Sequence, residues 1–439
     1  MREMKDSGIE WIGAIPQDWK TDRLQWHLKE INVSNNPIQT KNILSLTIEA
    51  GVIPYAEKGN QGNKAKEDYS QYKIALPDTL VINSMNVIIG AVGISQYFGC
   101  VSPVYYVFEP IEGTDLRYIY YLFTNTGFQK EMRKYAKGIL EIRLRISSND
   151  MLKRIVPSPP FKEQQRIADY LDKMCAEIDT VLEKTRASIE EYKKLKQAVI
   201  TQAVTKGIRG DRPMKDSGIE WIGEIPEGWS KNKVIRLFDI IGSGTTPKNI
   251  TSDFPVVNWI QSGDITGSFM PTCKNVISAN LLSQYSALKV YPAPFIIIAM
   301  YGASVGNASI SLIDGCVNQA CCVLSSPSCN LHYAFYVIKS AQSYLVRKAV
   351  GGGQPNISQE TIKQLWLPLP PLSTQDIIVR NLDATCSKID DLLSSVHASI
   401  EEYKKLKQAV ITLAVTKGVR GEREMKDSGV EWIGEIPAE

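Results

Sequence analysis

The sequence predicts an α+β chain with a pseudo-twofold internal repeat: two mixed α/β domains joined by two long antiparallel helices of coiled-coil type. Three observations carry this reading. MKDSGIEWIG stands at residues 4–13 and again at 214–223, and MKDSGVEWIG stands at 425–434. Two stretches without Gly or Pro, 161–206 and 372–417, place apolar residues every three or four positions and share SIEEYKKLKQAVIT at 188–201 and 399–412. Between these frames lie two inserts, about 20–150 and 231–360, whose letters do not match. The copies start at 4, 214 and 425, so the offsets are 210 and 211. A solenoid unit runs to roughly 20–50 residues, so this is a duplicated module.

The boundaries read as a first insert domain with its leading repeat segment, 1–155; a central repeat region with the first long helix, 156–213; a second insert domain, 214–366; and a closing region with the second long helix and the third copy, 367–439. A length of 439 residues leaves ample core. The chain shows no 18-residue apolar run and no basic, apolar start of signal type, and a cytoplasmic location is expected. Net charge is +3, too small by itself to mark a nucleic-acid binder. The inserts are more basic: 17 Lys+Arg against 13 Asp+Glu over 20–154 gives +4, and 9 against 4 over 231–359 gives +5.

In the first insert DTLVINSMNVIIGAVGIS and VSPVYYVFEP are β-rich, and DLRYIYYLFTNTGFQKEMRKY is helical. Pro159-Pro160 then opens the first long helix, and Gly207 closes it. About 45 residues at about 1.5 Å each make a rod of roughly 65–70 Å. Its stripe runs through Ile167, Leu171, Ile178, Ile189, Tyr192 and Leu195. The second insert repeats the order, with FPVVNWI, FIIIAMYGASVGNASI and CCVLSS as strands and LHYAFYVIKSAQSYLVRKAV as helix. The second stripe runs through Ile378, Leu382, Ile389, Leu392, Tyr403 and Leu406. Two equal rods with equal stripes are expected to pack antiparallel, which brings the first and third repeat copies to one domain.

Catalytic signatures are weak. SPPF at 158–161 resembles the motif of amino-methyltransferases, but the equivalent stretch is LPPL at 369–372, and no glycine-rich cofactor turn precedes it. GSGTTPK at 242–248 lacks P-loop spacing. Cys316, Cys321, Cys322 and Cys329 cluster without a C-x-x-C pair, and His27, His332 and His397 lie far apart, so buried thiols are expected rather than metal.

The chain resembles the specificity subunits of type I restriction–modification systems. The resemblance rests on PSPPFKEQQRIADYLD followed by the long helix, on its second copy, and on WIGAIPQDWK and WIGEIPEGWS before the inserts. INSMNVIIGAVGISQYFGCVSPVYYVF, GSGTTP, YGASVGNASI, NQACCVL and GGGQPNIS extend it into both inserts. The second frame departs from it at Ser373 and Thr374, where the first has Lys162 and Glu163. The resemblance implies a non-catalytic DNA reader whose two target-recognition domains bind the halves of a split, asymmetric site. It implies two modification subunits using S-adenosylmethionine to methylate adenine, restriction subunits using ATP and Mg2+, and no cofactor in this chain. A stand-alone DNA methyltransferase or nuclease is the alternative.

Side chains that can bond base edges or phosphates mark candidate DNA contacts. In the first insert these are Lys58, Gln61, Asn63, Lys64, Lys66, Asn83, Asn86, Arg143 and Arg145. In the second they are Ser243, Thr245, Thr246, Lys248, Tyr301, Ser304, Gln319, Gln354 and Asn356.

Overall fold

The structure is a computed structural model that describes residues 3–59, 65, 68–138, 144–208, 210, 212–248, 250, 253–351, 355–419 and, as backbone, 425–427 and 435–437. It divides into two compact units, residues 1–186 with 398–439, and residues 187–397. Each unit holds one insert and a part of each long helix.

In the first unit four antiparallel strands lie in the order Leu28–Ile31, Tyr105–Pro110, Thr79–Asn83, Val92–Ser95. Thr79–Asn83 is buried along its whole length. Its side chains alternate between two cores, as a period of two requires. Leu80 and Ile82 share a core with Ile119 and Leu122 of the helix Leu116–Thr124, while Val81 packs with Leu44, Leu46 and Val52. The second unit repeats the order with unrelated residues: Phe238–Gly242, Cys321–Pro327, Phe295–Ala299, Ala308–Ser311, with Phe269–Met270 added in parallel. Ile296 and Ile298 share a core with the helix Leu331–Ser340, and Ile297 joins Ile260, Met270 and Val317.

The insert helices are bolted to the frame by matching hydrogen bonds. The Tyr118 hydroxyl lies 3.0 Å from Pro157 O and 3.4 Å from Val415 O. The Tyr333 hydroxyl lies 2.9 Å from Pro368 O and 3.1 Å from Val204 O. Tyr121 donates to Asp172 and Tyr336 to Asp383, both at 2.7 Å. Buried Gln164 accepts from the Asp115 N–H at 3.0 Å, and buried Gln375 from the Asn330 N–H at 2.9 Å.

The long helices span Phe161–Lys206 and Leu372–Lys417. Each ends on a left-handed glycine, Gly207 at φ 79° and Gly418 at φ 77°, a conformation that side chains resist. In the first unit the two helices run in opposite directions. Asp179 meets Lys407, whereas Ile167 and Leu171, earlier in one helix, share a core with Ile411, Ala414 and Val415, later in the other. In the second unit Lys196 meets Asp390.

The seam differs from the expected stripe at three residues. Leu195, Leu392 and Leu406 are 50%, 46% and 49% exposed. The buried positions run Leu171, Cys175, Ile178, Leu182, Ile189, and the same alternation of three and four leads through half-buried Tyr192 to Lys196. Leu195 is one residue, about 100°, off that line. The second helix repeats this through Leu382, Cys386, Ile389, Ile400 and Tyr403 to Lys407, which leaves Leu392 and Leu406 outside. Ile167 and Ile378 are fully buried.

In all three repeat copies the described strands pair antiparallel in one register, Met4↔Pro16, Met214↔Pro226 and Met425↔Pro437. In the first unit Ile12, Ile15 and Trp19 share a core with Ile411, Ala414 and Val415 at the end of the second long helix. In the second unit Ile222, Ile225 and Trp229 share one with Ile200, Ala203 and Val204 at the end of the first.

Candidate nucleic-acid interface

Most of the described candidate residues of the second insert lie along one rim. The Thr246 hydroxyl donates to Gln319 Oε1 at 2.6 Å, and the Ser243 hydroxyl to Cys321 O at 2.7 Å. The Met300 N–H donates to Ala320 O at 2.8 Å, which sets the following turn beside Gln319. Tyr301 forms an antiparallel bridge with Asn356, and the Ser304 hydroxyl donates to Tyr301 O at 3.2 Å. Ser243, Thr246, Gln319, Tyr301, Ser304 and Asn356 thus lie on adjoining segments, 243–246 bonded to 319–321, 300–304 bonded to 320, and 356 bridged to 301, with Thr245 between Ser243 and Thr246. Lys248 is exposed nearby, and its backbone N–H donates to the Tyr285 hydroxyl at 3.2 Å. The glycines of GSGTTP are steric necessities, because a Cβ on Gly244 would overlap Val317 O and one on Gly242 the Tyr291 hydroxyl.

The first insert builds a matching rim from other side chains. After the strand Thr79–Asn83, Ser84 O accepts from the Ile146 N–H at 3.2 Å; after Phe295–Ala299, Met300 O accepts from the Ile357 N–H at 2.9 Å. Arg145 and Asn356 therefore hold corresponding places. Arg145 is exposed and bridges Lys137, as Asn356 bridges Val350. Burial raises the Tyr106 hydroxyl pKa above its ordinary value, while the charge of nearby Arg145 pulls it down. Asn86 lies on the same turn, half-buried.

Two candidates depart from this rim. Asn83 is only 7% exposed, and its side-chain oxygen accepts from the Met85 N–H at 3.0 Å, so it closes the turn instead of facing outward. Lys58 stands on a separate turn, Tyr55–Lys58, with its ammonium 5.0 Å from the Tyr55 ring centre. Gln61, Asn63, Lys64, Lys66, Arg143 and Gln354 lie outside the described residues. Lys137 is a rim cation the sequence reading passed over, although the basic run QKEMRKYAK signals it.

Behind the second rim the cysteines are free, and burial pushes the thiols of Cys316 up to about 11 and Cys322 up to about 12. Such thiols pack rather than react. Among the described residues no three His, Cys, Asp or Glu side chains gather as a metal site, and no helix is long and apolar enough to cross a membrane.

The profile of the type I restriction modification DNA specificity domain matches residues 16–191 and 226–402. A Methanocaldococcus jannaschii protein assigned as the type I restriction enzyme MjaX specificity subunit is 26% identical over 432 residues, covering 93% of this chain and 95% of its own. The Escherichia coli type I restriction enzyme EcoBI specificity subunit is 25% identical over 314 residues, 66% of this chain and 62% of its own. Among solved structures, a chain from a study of complex assembly and conformational transition of the type I R-M system superposes with a TM-score of 0.70 at 15% identity, covering 92% of this chain and 99% of its own. The HsdS subunit from Thermoanaerobacter tengcongensis gives 0.50 at 16% identity, covering 92% of this chain and 98% of its own.

Proposed function

The chain belongs to the family of the type I restriction modification DNA specificity domain, and from this we propose that it reads the DNA sequence for a type I restriction–modification complex without catalysing a reaction itself. Each insert reads one half of a bipartite, asymmetric site, and the long helices set the unspecified gap between the halves. The observation that carries this reading is the rim: one backbone arrangement occurs twice with different side chains, Arg145 in the first and Asn356 in the second. Arg suits the O6 and N7 acceptors of guanine, and Asn suits the N6 and N7 edge of adenine. The basic balance of the inserts, +4 over 20–154 and +5 over 231–359, and exposed Lys248 supply the sequence-independent attraction to phosphate.

Two modification subunits, carrying S-adenosylmethionine, dock on the repeated frames and methylate adenine. Restriction subunits, using ATP and Mg2+, add cleavage, and the assembly works on cytoplasmic DNA. Support for two equivalent docking sites comes from exposed apolar residues that recur in both units: Val181 and Leu406 in the first, Leu195 and Leu392 in the second. The test is to co-express the chain with its modification subunit and map methylated adenines by long-read sequencing. Replacing residues 231–359 by the insert of another family member is expected to change one half of the motif. A motif changed in both halves, or in neither, would overturn the proposal.

A further inference from the structure

We propose that the C-terminal end of the second long helix is a docking surface with two interchangeable occupants, the N-terminal hairpin that fills it here and the third copy of the same segment, residues 425–437. The proposal does not depend on which DNA the protein reads. Three observations lead to it. First, the surface is written twice: Ile411, Ala414 and Val415 reproduce Ile200, Ala203 and Val204, and each set lies under one hairpin. Second, the third copy repeats the sequence and the strand register of the seated copies. Its sequence places Ile433 and Ile436 where the seated copies have Ile12 and Ile15, or Ile222 and Ile225. Residue 433 lies outside the described residues, and residue 436 is described as backbone alone.

The third observation is the tether. In the second unit residues 207–213, seven in all, lead the chain from the first long helix back onto that helix's own end, where Ile222 and Ile225 seat. Residues 418–424, again seven, separate the second long helix from the third copy, as GVRGERE against GIRGDRP. The third copy therefore has the reach that seats the second. The end of the second helix is already closed by the first copy, with the Lys417 ammonium bonded to Ala14 O. One surface, two eligible hairpins and room for one make an exchange: when the N-terminal hairpin leaves, residues 425–437 replace it and keep the first unit closed.

Hydrogen–deuterium exchange on the full-length protein tests this. Ile15 and Ile225 are both 1% exposed, so Ile→Ala leaves a comparable cavity in either unit. Ile225→Ala, which has no spare hairpin, sets the scale, speeding exchange at residues 200–204 roughly 100-fold. Ile15→Ala alone is expected to speed residues 411–415 less than tenfold, with residues 425–437 gaining protection as 4–16 lose it. Ile436→Ala alone is expected to change nothing, and Ile15→Ala with Ile436→Ala to show the full effect. The proposal fails if Ile15→Ala alone matches Ile225→Ala and adding Ile436→Ala makes no difference.

Discussion

Lys407 places its ammonium 2.6 Å from both carboxylate oxygens of Asp179, and Lys196 does the same to Asp390. The residues of one pair lie 211 positions from their counterparts in the other, so this is one contact made twice. Each lysine lays its stem along the apolar seam and its charge at the edge. The carboxylates are 52% and 55% exposed, so each pair contributes only about 0.5–1 kcal/mol. Asp179→Asn is expected to destabilise the first unit by that amount, less so in about 1 M salt. Asp179→Lys combined with Lys407→Asp should recover most of it in a double-mutant cycle; no recovery would show that the contact orders nothing.

The tyrosine bolts cost more to break. Tyr118 and Tyr333 are fully buried and bond carbonyls of both the helix end and the strand before the other helix. Tyr→Phe at either place strands a buried carbonyl, at about 1–3 kcal/mol. Chemical denaturation should give nearly equal losses for the two variants, and a silent Tyr118→Phe would contradict the equivalence of the joints.

Acid should weaken the first unit through His27. Its ring is 6% exposed, Nδ1 lies 3.2 Å from the Thr114 hydroxyl, and burial lowers its pKa from the ordinary value of 6.5, against a smaller upward pull from Asp22. The neutral ring is therefore favoured in the fold, and the unfolded chain binds the proton more readily. Stability from this group is complete above pH 6.5 and is lost as pH falls below it. Leu237 occupies the corresponding place in the second unit. His27→Leu is expected to flatten the decline in melting temperature between about pH 6.5 and 5, and an unchanged decline would assign it to other groups.

Binding to DNA should separate phosphate from base contacts. Affinity measured by fluorescence anisotropy is expected to fall steeply with salt. Lys248→Ala should weaken all sequences alike. Asn356→Ala or Arg145→Ala should cost about 1–3 kcal/mol and relax one base position each, in different halves of the site. Affinity independent of salt would count against any DNA-reading role.

Much of this architecture is legible from punctuation and period. Pro159-Pro160 and Gly207 bound the first helix, and FIIIAM reads as a strand buried on both faces because nothing polar interrupts it. Past Ile189 three-four spacing permits either Leu195 or Lys196; apolarity favours Leu195, which the fold leaves half exposed. Asn83 has the chemistry of a base reader, yet it ends a strand, where a turn uses its side chain first. The bolts were visible in principle: both inserts carry Leu-x-Tyr-x-x-Tyr, at 116–121 and 331–336, but their function depends on carbonyls far away in sequence.

The central claim, that two inserts on equivalent frames read two half-sites, is tested most directly by halving the chain. Residues 1–213 retain the first insert and one whole long helix, whose end carries Ile200, Ala203 and Val204 in place of Ile411, Ala414 and Val415. A second copy of the half can therefore supply the missing helix, and a closed twofold dimer is the expected product. The measurement is long-read methylation mapping of cells that carry this half with the modification subunit. The expected motif is a palindrome of the first half-site and its inverse, with the second half-site gone. A motif that still contains both original halves would contradict the account.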